Sequence, residues 1–481
     1  MRQRNWTLIT LTTLATALVA HAQTSQTAGA IRGTVMTKAG KPVSGAVITM
    51  RSRETGFTRR TTTDAKGAFL YSLIPIGTYD LSATGTNLQP TDARNVQVFL
   101  GEAATVQFKM NEVAVASEVV EVISSTGTID PTQVTSSSTV SQELIEAIPV
   151  SGRNFTDLVQ MTPEAAVNSQ GYRTSVAGAR GTMNNLQIDG ASFNSKFVTE
   201  QRGGTRVPFS FGMDTIRELQ VITNGYDAQY GDAAGAIINA VTKGGSNEVT
   251  GSAMLLMRPE SLVANVRTVP YDRFGTTNAL EARERKFSQT QANFNLGGPI
   301  IKDKLFYFVG VEAYQYKQDN TPALSSGSES ATSGGNTVAD YTTFINGLGK
   351  TLIVHPDGAT MAQEARMPWT NDIKNLAAFA RIDWTINENH RLYFRVNSQN
   401  YSGENNVNSQ SRTTSRSRSN NSNNTFRTLS IVTELSSVIT PNLVNEARIQ
   451  ISDEERPFTP NSTISSEWTI GGVGFGNYYI D

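Results

Sequence analysis

The chain has 481 residues, with 41 Lys and Arg against 42 Asp and Glu, so its formal net charge is only -1. This balance excludes a strongly basic nucleic-acid-binding domain. The absence of cysteine from the sequence excludes disulfides, iron–sulfur clusters and thiolate zinc sites. The 39 glycines and the low charged fraction of 17% are typical of strands, turns and loops rather than helix bundles.

Residues 1–22 predict a secretory signal peptide. Arg2 and Arg4 precede an uncharged, mostly apolar run, and Ala20-His21-Ala22 has the small-x-small pattern of a cleavage site. The run is shorter than the ~20 residues that a transmembrane helix needs, so we expect export with cleavage near Ala22. Because no later segment is apolar enough for a helical span, a β-barrel is the predicted way for the exported protein to cross a membrane.

Residues 23–110 predict a transthyretin- or immunoglobulin-like β-sandwich, since short strands alternate with Gly- and Pro-rich turns. The predicted strands are 31–37, 46–51, 57–63, 68–73, 78–83, 96–100 and 105–110. The motifs GTV at 33–35, PVSGA at 42–46, TDAKGAF at 63–69 and IPIGTY at 74–79 resemble the carboxypeptidase regulatory-like domain. That domain is not catalytic, and we expect no peptidase activity. Phe57 and Tyr71 either stack on a bound sugar or, more simply, pack in the sandwich core.

Residues 111–140 predict an extended linker. Its Val/Glu run, Glu118-Val119-Val120-Glu121-Val122, favours a strand that adds to the sheet of another protein. The simpler alternative is a linker that contains one hairpin strand.

Residues 141–248 begin with a Ser-capped short helix that ends at Pro149, followed by a second short helix ending at Met161. Strand and turn segments follow at 176–181, 184–190, 216–222 and 236–245. Three ordered motifs, IPVSGRNFTDLVQMTPE, GARGTMNNLQIDG and IRELQVITNGYDAQYGDAAGAIINAVTKGGSNEVTGSA, resemble the plug domain of TonB-dependent outer-membrane receptors. With the regulatory-like sandwich in front, the chain most resembles the Oar-like type of these receptors.

Residues 249–481 alternate apolar and polar side chains with a period of two, which indicates β-strands with one apolar face. We predict seven strands, at 249–258, 287–299, 305–316, 374–386, 391–401, 426–436 and 442–451. Short connections alternate with long polar ones, which is typical of an outer-membrane barrel. Tyr307, Phe308, Trp384 and Tyr393 are candidates for its interfacial aromatic girdles, or for plain strand packing.

The fold class is therefore mainly β: a sandwich, a mixed α/β plug and the first strands of a 22-stranded antiparallel barrel. Seven strands are an odd number, whereas bacterial single-chain barrels have an even number. We therefore expect 249–481 to be a partial barrel, and the chain to be the N-terminal part of a receptor about twice as long.

The resemblance implies a receptor in the outer membrane of a Gram-negative bacterium, with lipid around the barrel and no enzyme activity, cofactor, metal or nucleic acid. It implies that Glu118–Val122 is the TonB box, which binds a TonB-type inner-membrane protein. It also implies transport, inward or outward, of an extracellular carbohydrate, siderophore or polypeptide. Arg153, Arg173, Arg180 and Asp189 are candidates for ligand contact in the plug. The simpler alternative for each is a salt bridge to the barrel wall.

A competing interpretation is an exported carbohydrate-binding or adhesin-like β protein without transport. It accounts for the signal peptide and the sandwich, but not for the plug motifs or the alternation of short and long connections.

Overall fold

The computed structural model describes residues 25–112, 135–148, 153–167, 174–195, 209–226, 229–262, 287–320, 352–353, 369–405, 421–440, 443–461, 468–470, 473–475 and 479–480. The predicted signal peptide and the predicted TonB box lie outside these ranges. Within them the chain forms a β-sandwich, a small mixed domain and a long antiparallel sheet. None of the helices in this part of the chain is long and apolar enough to span a membrane.

The sandwich contains all seven predicted strands in two sheets, with the orders β4-β1-β7 and β3-β2-β5-β6. Its strands are β1 (Ala28–Thr37), β2 (Val47–Ser52), β3 (Thr58–Thr62), β4 (Ala68–Pro75), β5 (Gly77–Thr84), β6 (Thr91–Val98) and β7 (Ala103–Met110). The first strand pairs antiparallel with β4 and parallel with β7. Alternate apolar side chains from both sheets, such as Ile31, Val35 and Ile48, are fully buried between them.

Aromatic side chains of the sandwich belong to its core. Phe57 is 5% exposed and Tyr71 is fully buried, and the Tyr71 hydroxyl donates a hydrogen bond to the Ile48 carbonyl at 2.6 Å. Of the six aromatic residues in 25–112, only Phe99 is not buried. The core-packing alternative for Phe57 and Tyr71 is therefore confirmed, and neither ring is free to stack on a sugar.

The plug has a mixed five-stranded sheet of order β12-β11-β14-β13-β8, in which only β11 and β14 pair in parallel. The strands of the plug are β8 (Ser136–Val140), β9 (Ala165–Val167), β10 (Thr174–Val176), β11 (Asn185–Ile188), β12 (Ala191–Ser192), β13 (Ile216–Asn224) and β14 (Ile237–Thr242). Of these, β9 and β10 form a separate antiparallel pair. The first predicted helix is α1 (Gln142–Ala147), whereas the second, Phe155–Met161, is a 3-10 helix. Further 3-10 turns span Gly181–Met183 and Met213–Thr215.

A long sheet of order β15-β16-β17-β19-β20-β21-β22 follows, with every pair antiparallel. Its strands are β15 (Thr250–Pro259), β16 (Phe287–Ile301), β17 (Leu305–Asn320), β19 (Trp369–Thr385), β20 (His390–Glu404), β21 (Ser422–Thr440) and β22 (Leu443–Glu455). The 3-10 turn Glu260–Leu262 follows β15. The remaining strands are short: β18 (Leu352–Ile353), β23 (Phe458–Pro460), β24 (Trp468–Ile470), β25 (Val473–Phe475) and β26 (Tyr479–Ile480). All seven predicted strands are present, several of them longer than predicted.

In the long sheet, the polar and apolar faces are arranged in the opposite way from those of a soluble β-domain. The side chains that face the plug are polar yet buried, among them Asn293, Glu312, Asn375, Arg395, Gln399 and Glu434. The opposite face is apolar yet exposed, with Phe294, Val311, Leu376, Ile382 and Ile449 each more than 40% exposed. A polar interior with an apolar exterior is the pattern of an outer-membrane barrel wall.

Not all of the predicted girdle aromatics lie on the outer face. Trp384 is 46% exposed, and Tyr307 is half-buried. Phe308 and Tyr393, each 7% exposed, face the plug instead. For these two the girdle prediction is wrong, because alternation along the strand places Phe308 on the inner face with Glu312 and Tyr393 on the inner face with Arg395.

Candidate functional site

The site is the interface between plug and barrel wall, and its centre is the turn between β11 and β12. Asp189 and Gly190 form a two-residue hairpin loop, since Ile188 pairs directly with Ala191. Asp189 and Gly190 have φ of 49° and 66°. An Asp-Gly pair with positive φ at both positions is the preferred sequence of a type I′ turn. The turn presents the Asp189 carboxylate to the barrel.

Asp189 makes ion pairs with two arginines of the wall. Its Oδ1 lies 3.2 Å from Arg381 Nη1, and its Oδ2 lies 3.2 Å from Arg395 Nε. The carboxylate also accepts hydrogen bonds from the Thr242 amide at 2.8 Å and hydroxyl at 2.9 Å. Since Asp189 and Arg395 side chains are each only 1% exposed, the charges are compensated almost without water, as a buried ion requires.

The register of the barrel explains why the plug must supply this carboxylate. Arg381 and Arg395 are directly paired across β19 and β20, and like charges in opposite positions destabilise a sheet. Asp383 relieves part of this repulsion, because its Oδ1 lies 2.7 Å from Arg381 Nη2. For Arg395, Asp189 is the ion-pair partner. The wall therefore has a positive site that fits the negatively charged turn of the plug.

A second pair of charges holds the same turn. Arg448 and Glu434 are paired across β22 and β21, with their side chains 2.6 Å apart. Arg448 Nη1 donates to the Gly190 carbonyl at 2.9 Å, and the Tyr393 hydroxyl donates to the Asp189 carbonyl at 3.1 Å. A Cβ on Gly190 would lie 2.7 Å from the Arg448 guanidinium, so a larger residue would displace Arg448 from its contact with the turn.

Neutral contacts continue the interface away from the turn. Asn375 and Gln399 of the wall both donate to the Phe209 carbonyl at 2.9 Å. Phe308 and Phe379 of the wall belong to the hydrophobic core of the plug. The plug is thus bound to the described wall by ion pairs, hydrogen bonds and apolar packing together.

The sandwich contacts the plug along β13. The Leu100 amide donates to Glu218 Oε1 at 2.7 Å, and Gln220 Nε2 donates to the Leu100 carbonyl at 2.9 Å. Arg217 and Glu54 form an ion pair at 2.7 Å. Burial raises the pKa of the Glu218 carboxyl to about 7, because the contact removes water from it.

The four candidate residues for ligand contact have different positions. Asp189 is committed to the barrel arginines, as the salt-bridge alternative expected. Arg153 forms an ion pair with Asp214 of the plug, and Arg180 is exposed. Arg173 and Glu118–Val122 lie outside the described residues. In the part of the chain that the structure describes, no group of three or more His, Asp or Glu side chains is placed to bind a metal.

Sequence reasoning missed the barrel residues of the site: Arg381, Tyr393, Arg395, Glu434 and Arg448. A signal was present, because charged residues at alternating positions of an apolar strand must face the lumen of a barrel. The signal does not show which of them contact the plug, since that depends on the register between strands distant in sequence.

Comparison with known families agrees with this architecture. Residues 30–111 match the carboxypeptidase regulatory-like domain, residues 130–237 match the TonB-dependent receptor plug domain, and residues 241–479 match an outer membrane beta barrel domain. The chain thus contains, in order, a regulatory-like sandwich, a TonB-dependent receptor plug domain and strands of an outer-membrane β-barrel. This set of domains indicates a location in the outer membrane of Gram-negative bacteria.

One relative is the TonB-dependent transporter Oar of Myxococcus xanthus, 27% identical over 376 residues, or 76% of this chain and 33% of that protein. The chain therefore spans about a third of the length of this curated relative. Among solved structures, the chain is similar to the outer membrane transporter YddB of Escherichia coli (TM-score 0.42, 11% identity, 66% of this chain and 38% of that chain). It is also similar to the siderophore receptor PirA of Pseudomonas aeruginosa (TM-score 0.41, 12% identity, 67% and 41%).

Proposed function

We propose that the protein is a TonB-dependent outer-membrane transporter, which binds an extracellular ligand and moves it through the barrel without chemical change. The observation that carries the proposal is the buried ion-pair interface at Asp189. A plug that is held to the wall by compensated charges blocks passage, and it cannot leave without separating them. Separating a buried ion pair costs about 3–5 kcal/mol, so opening needs an external source of energy.

A TonB-type inner-membrane protein is the proposed source. The proposed contact is the segment Glu118–Val122, which lies between the end of β7 at Met110 and the first plug strand, β8. This strand is at the edge of the plug sheet and pairs only with β13 among the described strands. Force on the linker would therefore act first on an edge strand, whose removal leaves the other ladders of the sheet intact.

The ligand is proposed to approach from the side of the long polar connections, and Arg153, Arg173 and Arg180 remain the proposed plug residues that face it. Asp189 is not proposed as a ligand contact, because both of its carboxylate oxygens are occupied. The buried aromatics of the sandwich give no support to the competing sugar-binding interpretation.

The coupling segment is tested by Val120→Pro in the full-length receptor. Proline removes a backbone donor and is excluded from the interior of a sheet, so we expect binding of a TonB periplasmic domain to be lost while the barrel still inserts. Binding is measured by biolayer interferometry with purified receptor, and insertion by the heat-modifiable shift on gels. Thr126→Pro, in the same linker but outside the proposed box, is the matched control. Unchanged binding by the Val120→Pro receptor would exclude this segment as the coupling strand.

A further inference from the structure

The first described residues, Ser25–Thr27, lie inside the interface between plug and barrel. We name them the N-terminal strap. Ser25 and Gln26 are 6% and 9% exposed, which is unusual for polar residues in front of a first strand. Ser25 Oγ donates to Glu446 Oε1 at 2.7 Å, and Thr27 Oγ1 donates to Glu434 Oε1 at 3.0 Å. Both carboxylates belong to the barrel wall, so the strap is bound to β21 and β22.

Gln26 also joins the strap to the plug. Its carbonyl accepts a hydrogen bond from Asn239 Nδ2 at 2.6 Å, in the central strand β14. Its side-chain oxygen accepts from Arg448 Nη1 at 2.8 Å, and the same nitrogen of Arg448 donates to the Gly190 carbonyl. One residue of the strap thus connects plug and wall beside the Asp189 site.

The topology of the sandwich connects the strap to the linker. The strap continues directly into β1, and β1 pairs in parallel with β7 over eight consecutive residue pairs from Ala30–Ala103 to Thr37–Met110. The linker, residues 111–140, follows β7 directly. A pull on the linker is therefore transmitted through β7 to β1 and then to the strap, as well as to β8 on the plug side.

We propose that the N-terminal strap and its sandwich hold the plug closed, and that the sandwich must withdraw the strap before the plug moves. Gln26 is then a positioning residue for transport, because it fixes plug and wall relative to each other without facing the ligand. The withdrawal step rests on the proposed function, since TonB supplies the pull. The closed state itself requires only the contacts described above.

The experiment uses the full-length receptor in outer membranes of its host, with Val432→Cys as a probe. Val432 is fully buried on the wall and packs against Ala191 of the plug and Tyr393. The 481 residues contain no native cysteine, so in this chain a maleimide reports whether position 432 is uncovered. Gln26→Ala is combined with this probe, and Gln97→Ala, at an exposed position of β6, is the matched control.

In cells treated with a protonophore, we expect Gln26→Ala to raise the labelling rate about tenfold, because it removes the buried hydrogen bond that Arg448 donates to the Gln26 side chain. We expect Gln97→Ala to leave the rate unchanged. We also expect the ratio between energised and protonophore-treated rates to fall towards one in Gln26→Ala, while the heat-modifiable form of the barrel persists. If Gln26→Ala only made the receptor less stable in general, the labelling rate would still differ between energised and protonophore-treated cells. If the receptor with both Gln26→Ala and Val432→Cys is labelled at the same rate as the receptor with Val432→Cys only, the strap does not hold the plug.

If Gln26→Ala does not reach the outer membrane, Thr27→Val provides the second variant, because it removes the hydroxyl and keeps the shape of the side chain. The same rise in labelling supports the proposal, and an unchanged rate overturns it. If the proposed function is wrong, the result is different. The labelling rate of the receptor that carries only Val432→Cys would then be the same with and without the protonophore. The comparison between strap variants in protonophore-treated cells would still decide the role of the strap.

Discussion

At the scale of single residues, the interface depends on an unequal distribution of charge between two parts of the chain. The wall alone has two paired arginines that repel each other, and the plug alone has a carboxylate at the tip of a tight turn. Each is unfavourable when buried by itself. Together their charges compensate each other, so the contact is specific for this turn in this position.

Asp189→Asn should therefore weaken the contact strongly. The amide keeps the size of the side chain, but it leaves Arg395 without its negative partner in a buried position, at a cost of about 3–5 kcal/mol. We expect the plug of the full-length receptor to become sensitive to protease at lower urea concentration than the wild type. Asp92→Asn, at an exposed position of β6, should have no effect.

A double variant separates charge from packing. Asp189→Asn with Arg395→Met removes both charges, and we expect it to recover part of the lost protection, because a buried pair is often replaceable by apolar groups. No recovery in the double variant would contradict an electrostatic origin.

At the scale of elements, much of the structure could be predicted from the sequence. The seven sandwich strands and the seven wall strands follow from alternation of polar and apolar residues, and the Asp-Gly turn follows from its backbone preference. The 3-10 form of Phe155–Met161 was not predictable, because it is set by packing of Phe155 and Leu158 in the plug core. The inward position of Phe308 and Tyr393 follows from alternation along the strand, because Phe308 shares its face with Glu312 and Tyr393 shares its face with Arg395.

The contact between sandwich and plug should depend on pH through Glu218. Because burial raises the pKa of this carboxyl to about 7 from 4.5, the folded protein favours the protonated form. This contribution to stability is fully present below about pH 4.5 and is lost as the pH rises to about 7, in total about 3 kcal/mol.

We therefore expect Glu218→Gln to remove part of the pH dependence of the melting temperature between pH 5 and about 7.5. Glutamine still accepts the hydrogen bond from the Leu100 amide but cannot ionise. Scanning calorimetry of the full-length receptor at both pH values measures the difference, with the exposed Glu112→Gln as control. An equal loss of stability with pH in wild type and Glu218→Gln would show that this carboxyl does not titrate in the contact.

At the scale of the whole molecule, the three domains form one connected path. The sandwich contacts the plug at β13, the plug contacts the wall at Asp189, and the strap contacts plug and wall together. The sequence predicted the domains and their order from motifs and spacing. It did not predict the interface, since each of its partners, such as Asp189 and Arg395 or Gln26 and Arg448, is separated by hundreds of residues.

In the proposed function, energy from the inner membrane uncovers the wall behind the plug. The most direct test is the rate at which a maleimide labels Val432→Cys in the full-length receptor. We expect fast labelling in energised cells and slow labelling after a protonophore or with Val120→Pro, while Thr126→Pro labels like the parent. A labelling rate that is the same in energised and protonophore-treated cells would contradict the account.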